Sequence, residues 1–454
     1  MEQATEALAQ FIDRTTLEAI PREVIDLGKL HILDTLGTLF AGSREKIAAI
    51  VRQYVQSLGC MAESSLITQG LKTSPQYAAF GNGTIAHVLD FDDYEWPSNA
   101  HPSVSILPSV LALGERNQAT GNMCLEAYLV GMEVIAKIGT GVNPSHYDKG
   151  WHSTGTLGTL GAAAASVKLL KCDVETGKIA LGIASSMASG LRGNFGTMTK
   201  ALHAGHASKS GVESALLASL GFTADRTILE RKLGFCSIFT ENESYDLQKI
   251  VQHLGSPFSF LSPGVGIKPY PSPAATHAVL DGVFQLIQQH GIKADDVEGV
   301  ECGIFYLYPT MLIHSDPRTG LEGKFSMEFC VAVALLDREM NLEKFTDAKV
   351  NHPEIRTLMK KVKTYVTKEV GDKGTLYPGA IVKISLRNGT SCSAHIKNRK
   401  GGPSNPLSRD EVVKKFVGNA SLVLKINDID EITEKVMRLE ELSDIRDLIR
   451  CLNR

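Results

Sequence analysis

Between Pro21 and Gly42, in PREVIDLGKLHILDTLGTLFAG, apolar residues recur every third position: Val24, Leu27, Leu30, Leu33, Leu36 and Leu39. That spacing predicts a helix with one broad apolar face. Pro21 suits its first position and Gly42 its stop. Helical patterning continues to about residue 260. Two stretches, STGTLGTLGAAAASVKLLK and KIALGIASSMASGLRG, are rich in small residues. Gly155, Gly158 and Gly161 precede four alanines, although a glycine costs a helix roughly 1 kcal/mol. We expect buried central helices that neighbours approach closely.

The period changes after about Ser262. VEGVECGIFYLY (297–308) reads as a strand. AIVKISLR and TSCSAHIK flank Asn388-Gly389, a pair suited to the positive φ angles of a type I′ hairpin turn. Helical patterns return in KFSMEFCVAVALLD and SRDEVVKKFVGNASLVLKI. The pattern predicts a mainly α fold with a smaller α+β unit inserted. Its segments are an all-helical part, 1–265, the α+β unit, 266–401, and helices, 402–454, that return to the first part. GGPSNP (401–406) is the best candidate for a linker.

Composition narrows the class. A chain of 454 residues suits two structural units, and 43% hydrophobic with 21% charged residues is ordinary for a soluble globular protein. A net charge of -3 gives no basic surface for nucleic acid. No apolar run reaches transmembrane length, and MEQATEALAQFIDRTT lacks the apolar region of a signal peptide. The eight cysteines are scattered singly, without metal-ligand spacing, as free thiols in a reducing compartment would be. The expectation is a cytoplasmic protein that binds neither membrane nor nucleic acid.

Common cofactor signatures fail. Gly81-Asn82-Gly83-Thr84-Ile85-Ala86 satisfies G-x-G-x-x-A, but no β-branched run precedes it and no alternating βα pattern surrounds it. GNFGTMTK has the wrong spacing for a phosphate loop, and neither G-x-S-x-G nor H-E-x-x-H occurs. What remains is a scatter of polar residues. AHVLDFDDYEWPSNAHPS holds His87, Asp90, Asp92, Asp93 and His101; His152, Lys200, His203 and Lys268 follow at other predicted element ends. Helix N-termini gather free N–H groups and partial positive charge there, which suits an anion with several carboxylates. The bland readings are a satisfied helical histidine for His87, caps or solvated acids for Asp92 and Asp93, a helix cap for His101 and a surface lysine for Lys200. Spacing alone does not bring these groups together.

Five segments in register change the weighing: GNGTIAHVLDFDD, NAHPSVSILPSVLALGE, KGWHSTGTLGTLGAAAA, GTMTKALHAGHASKSGVESALLASLGFT and KPYPSPAATHAVLDG. Together they resemble the MmgE/PrpD family over nearly the whole chain. That family includes cis-aconitate decarboxylase, 2-methylcitrate dehydratases and iminodisuccinate epimerase. The resemblance implies a large all-helical domain with a smaller α+β lid domain, an active site between them, a homodimer, and neither metal nor organic cofactor. It matches the decarboxylase pocket to Asp90, His101, His152, Lys200 and Lys268.

Two positions depart from the animal decarboxylases: Tyr94 stands where they have Thr, and Phe329 where they have Tyr. HYDKGWHSTGT is closer to the epimerase branch, where Tyr147 could be a phenolic acid/base.

The shared chemistry makes or discharges negative charge on carbon beside a carboxylate, so preorganised cations carry much of the catalysis. On this reading Lys200 and Lys268 clamp substrate carboxylates, with Tyr94 also at the substrate. His101 and His152 exchange protons, and Asp90 orients a histidine. His87, Asp92 and Asp93 fall back to structural roles. The expected activity is a cofactor-independent lyase for a citrate- or aconitate-like polycarboxylic acid, by decarboxylation or dehydration. Epimerisation of a dicarboxylate such as iminodisuccinate is the alternative, and a non-catalytic carboxylate-binding homologue the reading from another class.

Overall fold

A computed structural model of the protein describes residues 3–454. Among the described residues, nine helices of eleven residues or more form the frame of its first half: α1 (Ala4–Arg14), α2 (Arg22–Gly42), α3 (Lys46–Ser57), α4 (Pro75–His87), α5 (Ser103–Asn117), α6 (Gly121–Val142), α7 (Ser153–Leu169), α8 (Val174–Met187) and α9 (Met198–Ser219). Helix does not run unbroken to residue 260, however. β1 (Ser64–Leu66) and β2 (Leu71–Thr73) form a short antiparallel hairpin before α4. Strands of three residues are too short to show a period of two.

The glycine-rich segment is the buried centre. Almost every residue of α7 is buried, and a Cβ on Gly158 would lie 2.5 Å from Ser105 Oγ of α5. A Cβ on Gly83 of α4 would lie 3.0 Å from the Cα of Gly205 on α9. Missing side chains let these backbones approach, which offsets the lost helix propensity. The same close packing brings together the C-terminus of α4 and the N-termini of α7 and α9, where His87, His152 and Lys200 sit.

In the second half, α10 (Ala274–His290) and α11 (Met327–Asp337) pack on a four-stranded sheet. Its strands are β3 (Val297–Ile304), β4 (Val362–Val366), β5 (Ala380–Leu386) and β6 (Ser391–Ile396), in the order β4-β3-β5-β6. The β3–β4 pair is parallel and the other two pairs are antiparallel. In β5, Ala380, Val382 and Ile384 are buried while Lys383 is exposed, the alternation of a sheet covered on one face.

The β5–β6 turn is not the type I′ form that Asn-Gly suggested. Leu386 N–H donates to Thr390 O and Gly389 N–H to Leu386 O, both at 2.9 Å, and only Gly389 has positive φ, at 86°. This is a three-residue loop. Asn388 Oδ1 accepts from Thr390 N–H (3.0 Å) and Oγ1–H (2.7 Å), a local hold that competes with the left-handed conformation.

Two apolar cores result. One joins the helices of the first half to Phe416, Ile429, Ile432, Val436 and Leu448. These come from three C-terminal helices, α12 (Arg409–Ala420), α13 (Ile426–Met437) and α14 (Arg446–Leu452). The other lies between the sheet, α10 and α11, and takes in Trp96 and Tyr147 from the first half. GGPSNP, read as a linker, is instead a packed turn: Gly401 and Gly402 are buried, and Gly401 N–H donates to Asn405 O at 2.8 Å. It runs beside the other crossing of the chain, where a Cβ on Gly266 would meet Gly401 O at 2.7 Å. Among the described residues no helix is long and apolar enough to cross a membrane.

Candidate active site

Where α4 ends at His87, the chain turns through Asp90, whose N–H donates to His87 O (3.1 Å) and whose φ is 51°. Aspartate tolerates this left-handed conformation better than most residues. The turn sends the carboxylates of DFDD to different partners, all of them buried. Asp90 Oδ1 accepts from Lys200 Nζ at 2.9 Å and Lys268 Nζ at 2.7 Å, and Lys268 also donates to Asp90 O at 3.0 Å. Asp92 Oδ2 accepts from His87 Nδ1 at 2.9 Å and lies 3.3 Å from His101 Nδ1. Asp93 holds His31 Nδ1 at 2.9 Å and the N–H of Ser103 at 3.2 Å, anchoring the start of α5.

Ring protons follow from these partners. His101 Nδ1 faces the backbone oxygen of Asp93 at 2.8 Å as well as Asp92, so it carries a hydrogen. Its Nε2 lies 3.8 Å from Asp90 Oδ1. His87 donates through Nδ1 to Asp92 and accepts at Nε2 from Lys200 Nζ, 3.1 Å away.

Burial works against ionising Asp90, yet the ammonium groups of Lys200 and Lys268 outweigh it and hold the carboxyl well below its usual range. Asp92 is likewise buried and likewise held low, by His87 and His101. For His87 and His152 burial wins. His87 is pushed down to about 3, with Lys200 reinforcing burial against the pull of Asp92. His152 is driven well below 6.5 by burial, then by Lys200 and His203.

Asp90, His101, His152, Lys200, Tyr94 and Tyr147 all line one cavity. Phe195 on one side and Met311 and Phe325 on the other complete its apolar walls. The expected residues therefore converge, with two corrections. Lys268 does not line the cavity: it is fully buried behind Asp90, and its ammonium binds that residue rather than standing free for substrate. Phe329 is a core residue packed against Gly323 and Phe345, outside the cavity lining.

Orientation of the histidines also falls to different acids than expected. Asp92 and the backbone of Asp93 hold His87 and His101, while Asp90 pairs with lysines. His87 and Asp92, given structural roles from spacing, stand at the centre of the network. Arg399 and Lys324 carried no signal in the sequence. Arg399, 1% exposed, donates from Nε to Tyr94 Oη at 3.0 Å and from an Nη to Tyr308 Oη at 3.1 Å. Lys324 donates to Leu89 O and Pro271 O, both at 2.8 Å, and burial lowers it to about 8. Arg192 stacks 3.8 Å over the Tyr147 ring and donates to Thr310 Oγ1 at 2.6 Å, linking a lining residue of the first half to the second half of the chain.

A cation could find donors here. Ligating atoms of His87, Asp90, Asp92 and His101 lie within 4.8 Å of one another, as do those of His87, His101 and His152. The electrostatics argue against the set that includes Asp90, because the ammonium groups of Lys200 and Lys268 already meet that carboxylate.

Sequence comparison places this architecture. The model of the MmgE/PrpD N-terminal domain matches residues 6–248, and that of the MmgE/PrpD C-terminal domain matches residues 270–441. The chain belongs to the MmgE/PrpD family. The second match extends through α12 and α13, which pack in the first core, so the division along the sequence is not the division of the cores. Similar proteins include cis-aconitate decarboxylase of Mus musculus, 29% identical over 100% of this chain and 94% of the relative. Its Homo sapiens counterpart is 28% identical over 98% and 93%, and the Aspergillus terreus enzyme of that name 25% over 99% and 96%.

Proposed function

We propose that the protein is a lyase for a citrate- or aconitate-like polycarboxylic acid, with decarboxylation of cis-aconitate as the favoured reaction. One observation carries the reading: Lys200, backed by Asp90 and Lys268, faces a small cavity together with His101. In decarboxylation the C–C bond to a carboxylate breaks and its electron pair stays on the carbon framework, spread into a remaining carboxylate. Lys200 stabilises that developing charge in a water-poor site. His101 or His152 then supplies the proton that forms the new C–H bond.

Residues 266–401 act as a lid in this account, since Met311 and Phe325 of this segment line the same cavity as Lys200. The chemistry uses no metal or organic cofactor, so activity persists in excess chelator. A second reading, epimerisation of a dicarboxylate, is favoured by Tyr147, a phenol in the lining beside the histidines.

NMR of the protein with cis-aconitate, 2-methylcitrate and aspartate-derived diacids in deuterated water tests these alternatives. Loss of CO2 supports decarboxylation, loss of the hydroxyl supports dehydration, and deuterium at a stereocentre supports epimerisation. No reaction with any polycarboxylate overturns the enzyme reading.

A further inference from the structure

A second histidine stands behind His152. His203 lies on α9 one turn beyond Lys200, and its Nδ1 is 3.0 Å from Nδ1 of His152, the ring centroids being 5.2 Å apart. Two imidazole nitrogens at this distance form a hydrogen bond only when one of them carries the proton. His152 lines the cavity, and its other nitrogen, Nε2, is buried without a protein partner. The direction of the His203–His152 bond therefore decides whether Nε2 presents a hydrogen or a lone pair. His203 is 6% exposed against 1% for His152, so it is the member nearer solvent.

Resting on the decarboxylase reading, we propose that His203 is a positioning residue and proton relay. It donates Nδ1–H to His152, so that His152 presents Nε2–H to the cavity, and it links that proton to solvent. Loss of CO2 from a carboxylate consumes one proton per turnover, and the balance closes along this pair. His152 Nε2–H breaks as the new bond to substrate carbon forms, or as His101 Nε2 is recharged. Nδ1 of His152 takes the Nδ1 proton of His203, whose Nε2 takes one from water. The pair resets once product has left and both ends exchange with solvent.

Both rings remain uncharged throughout. Burial, then Lys200 and His206, lowers His203 to about 4, and the groups facing His152 are Lys200, His203, His87 and His101. A chain of neutral rings passes protons without placing a further cation beside Lys200.

Two variants and two readouts test this. His203→Asn keeps a donor or acceptor near the Nδ1 position but cannot relay, and His203→Leu removes both functions. The expected result for His203→Asn is an unchanged melting temperature, KM for cis-aconitate within about 2-fold, and kcat reduced ~10-fold or more. Its solvent deuterium isotope effect is raised, and added imidazole restores part of the rate. His203→Leu loses at least as much, with the same rescue. A kcat near wild type in both variants, or a loss with neither isotope effect nor rescue, overturns the relay. Independently of turnover, ¹⁵N NMR of the resting protein should show His152 protonated at Nε2 and His203 at Nδ1; the reverse assignment overturns the proposed direction. Wild type that leaves cis-aconitate unchanged while showing these tautomers separates failure of the decarboxylase reading from failure of the pairing.

Discussion

Around Asp90, buried groups are ionised and paired: two ammonium ions meet one carboxylate, and Asp92 holds two imidazoles. A short distance away, His152 and His203 are buried with no carboxylate among the groups that act on them, and they hydrogen-bond each other. Both groups meet at the same cavity, yet burial has opposite outcomes. It is overcome at Asp90, where two cations are within hydrogen-bonding distance, and it prevails at His152, which has no carboxylate partner. Charge in this interior persists only where a partner is built in. The difference underlies the proposed division of work, in which lysines supply a fixed positive field and histidines supply protons that can move.

The largest perturbation removes the carboxylate that defines the ionised group. Asp90→Asn removes the negative charge that Lys200 and Lys268 share. Chemical denaturation should show a loss of about 3–5 kcal/mol, with activity abolished; a loss under about 1 kcal/mol would mean that the lysines are not both charged. Next come the groups assigned to chemistry. His101→Ala should cut kcat ~100-fold with little change in melting temperature, and near-wild-type turnover would remove it from the acid/base role.

Tyr94→Phe leaves Arg399 Nε buried without its acceptor and should cost about 1–3 kcal/mol of stability. A neutral outcome would show that the guanidinium is held by its aromatic neighbours alone. A pH-dependent effect concerns Glu95, whose carboxyl burial pushes up to about 8. Raised above its value in the unfolded chain, it binds its proton more tightly in the folded state. Stability from this group is therefore complete below about pH 4.5 and declines as pH rises towards 8. Glu95→Gln mimics the protonated acid, so its melting temperature should gain on wild type steadily between pH 5 and pH 8. A pH-independent difference would contradict the assignment.

Much of the fold was legible because its signals are local. The apolar spacing of α2 and the small-residue run of α7 report helices buried on nearly every side, and the alternation in β5 reports one buried face. The hairpin β1–β2 was too short to register, and the turn at Asn388 depended on a side-chain hydrogen bond rather than on the dipeptide. At the site, Asp90, His101, His152 and Lys200 stood out at element ends and do share the cavity.

Roles were less legible than positions. DFDD offers several carboxylates in a row, and only the left-handed turn at Asp90 decides which meets lysine and which meets histidine. Lys268 and Arg399 act from distant parts of the chain, and nothing in their neighbours along the sequence reports that they are buried behind Asp90 and Tyr94.

The central claim is that Lys200 stabilises negative charge on a polycarboxylate losing CO2. Its most direct test follows cis-aconitate by ¹H NMR in deuterated water, with wild type and Lys200→Ala side by side. The account predicts that wild type exchanges one carboxylate for one deuterium, and that the variant does so ~100-fold more slowly while still melting cooperatively. Equal rates in the two proteins, or no release of CO2 by wild type, would contradict it.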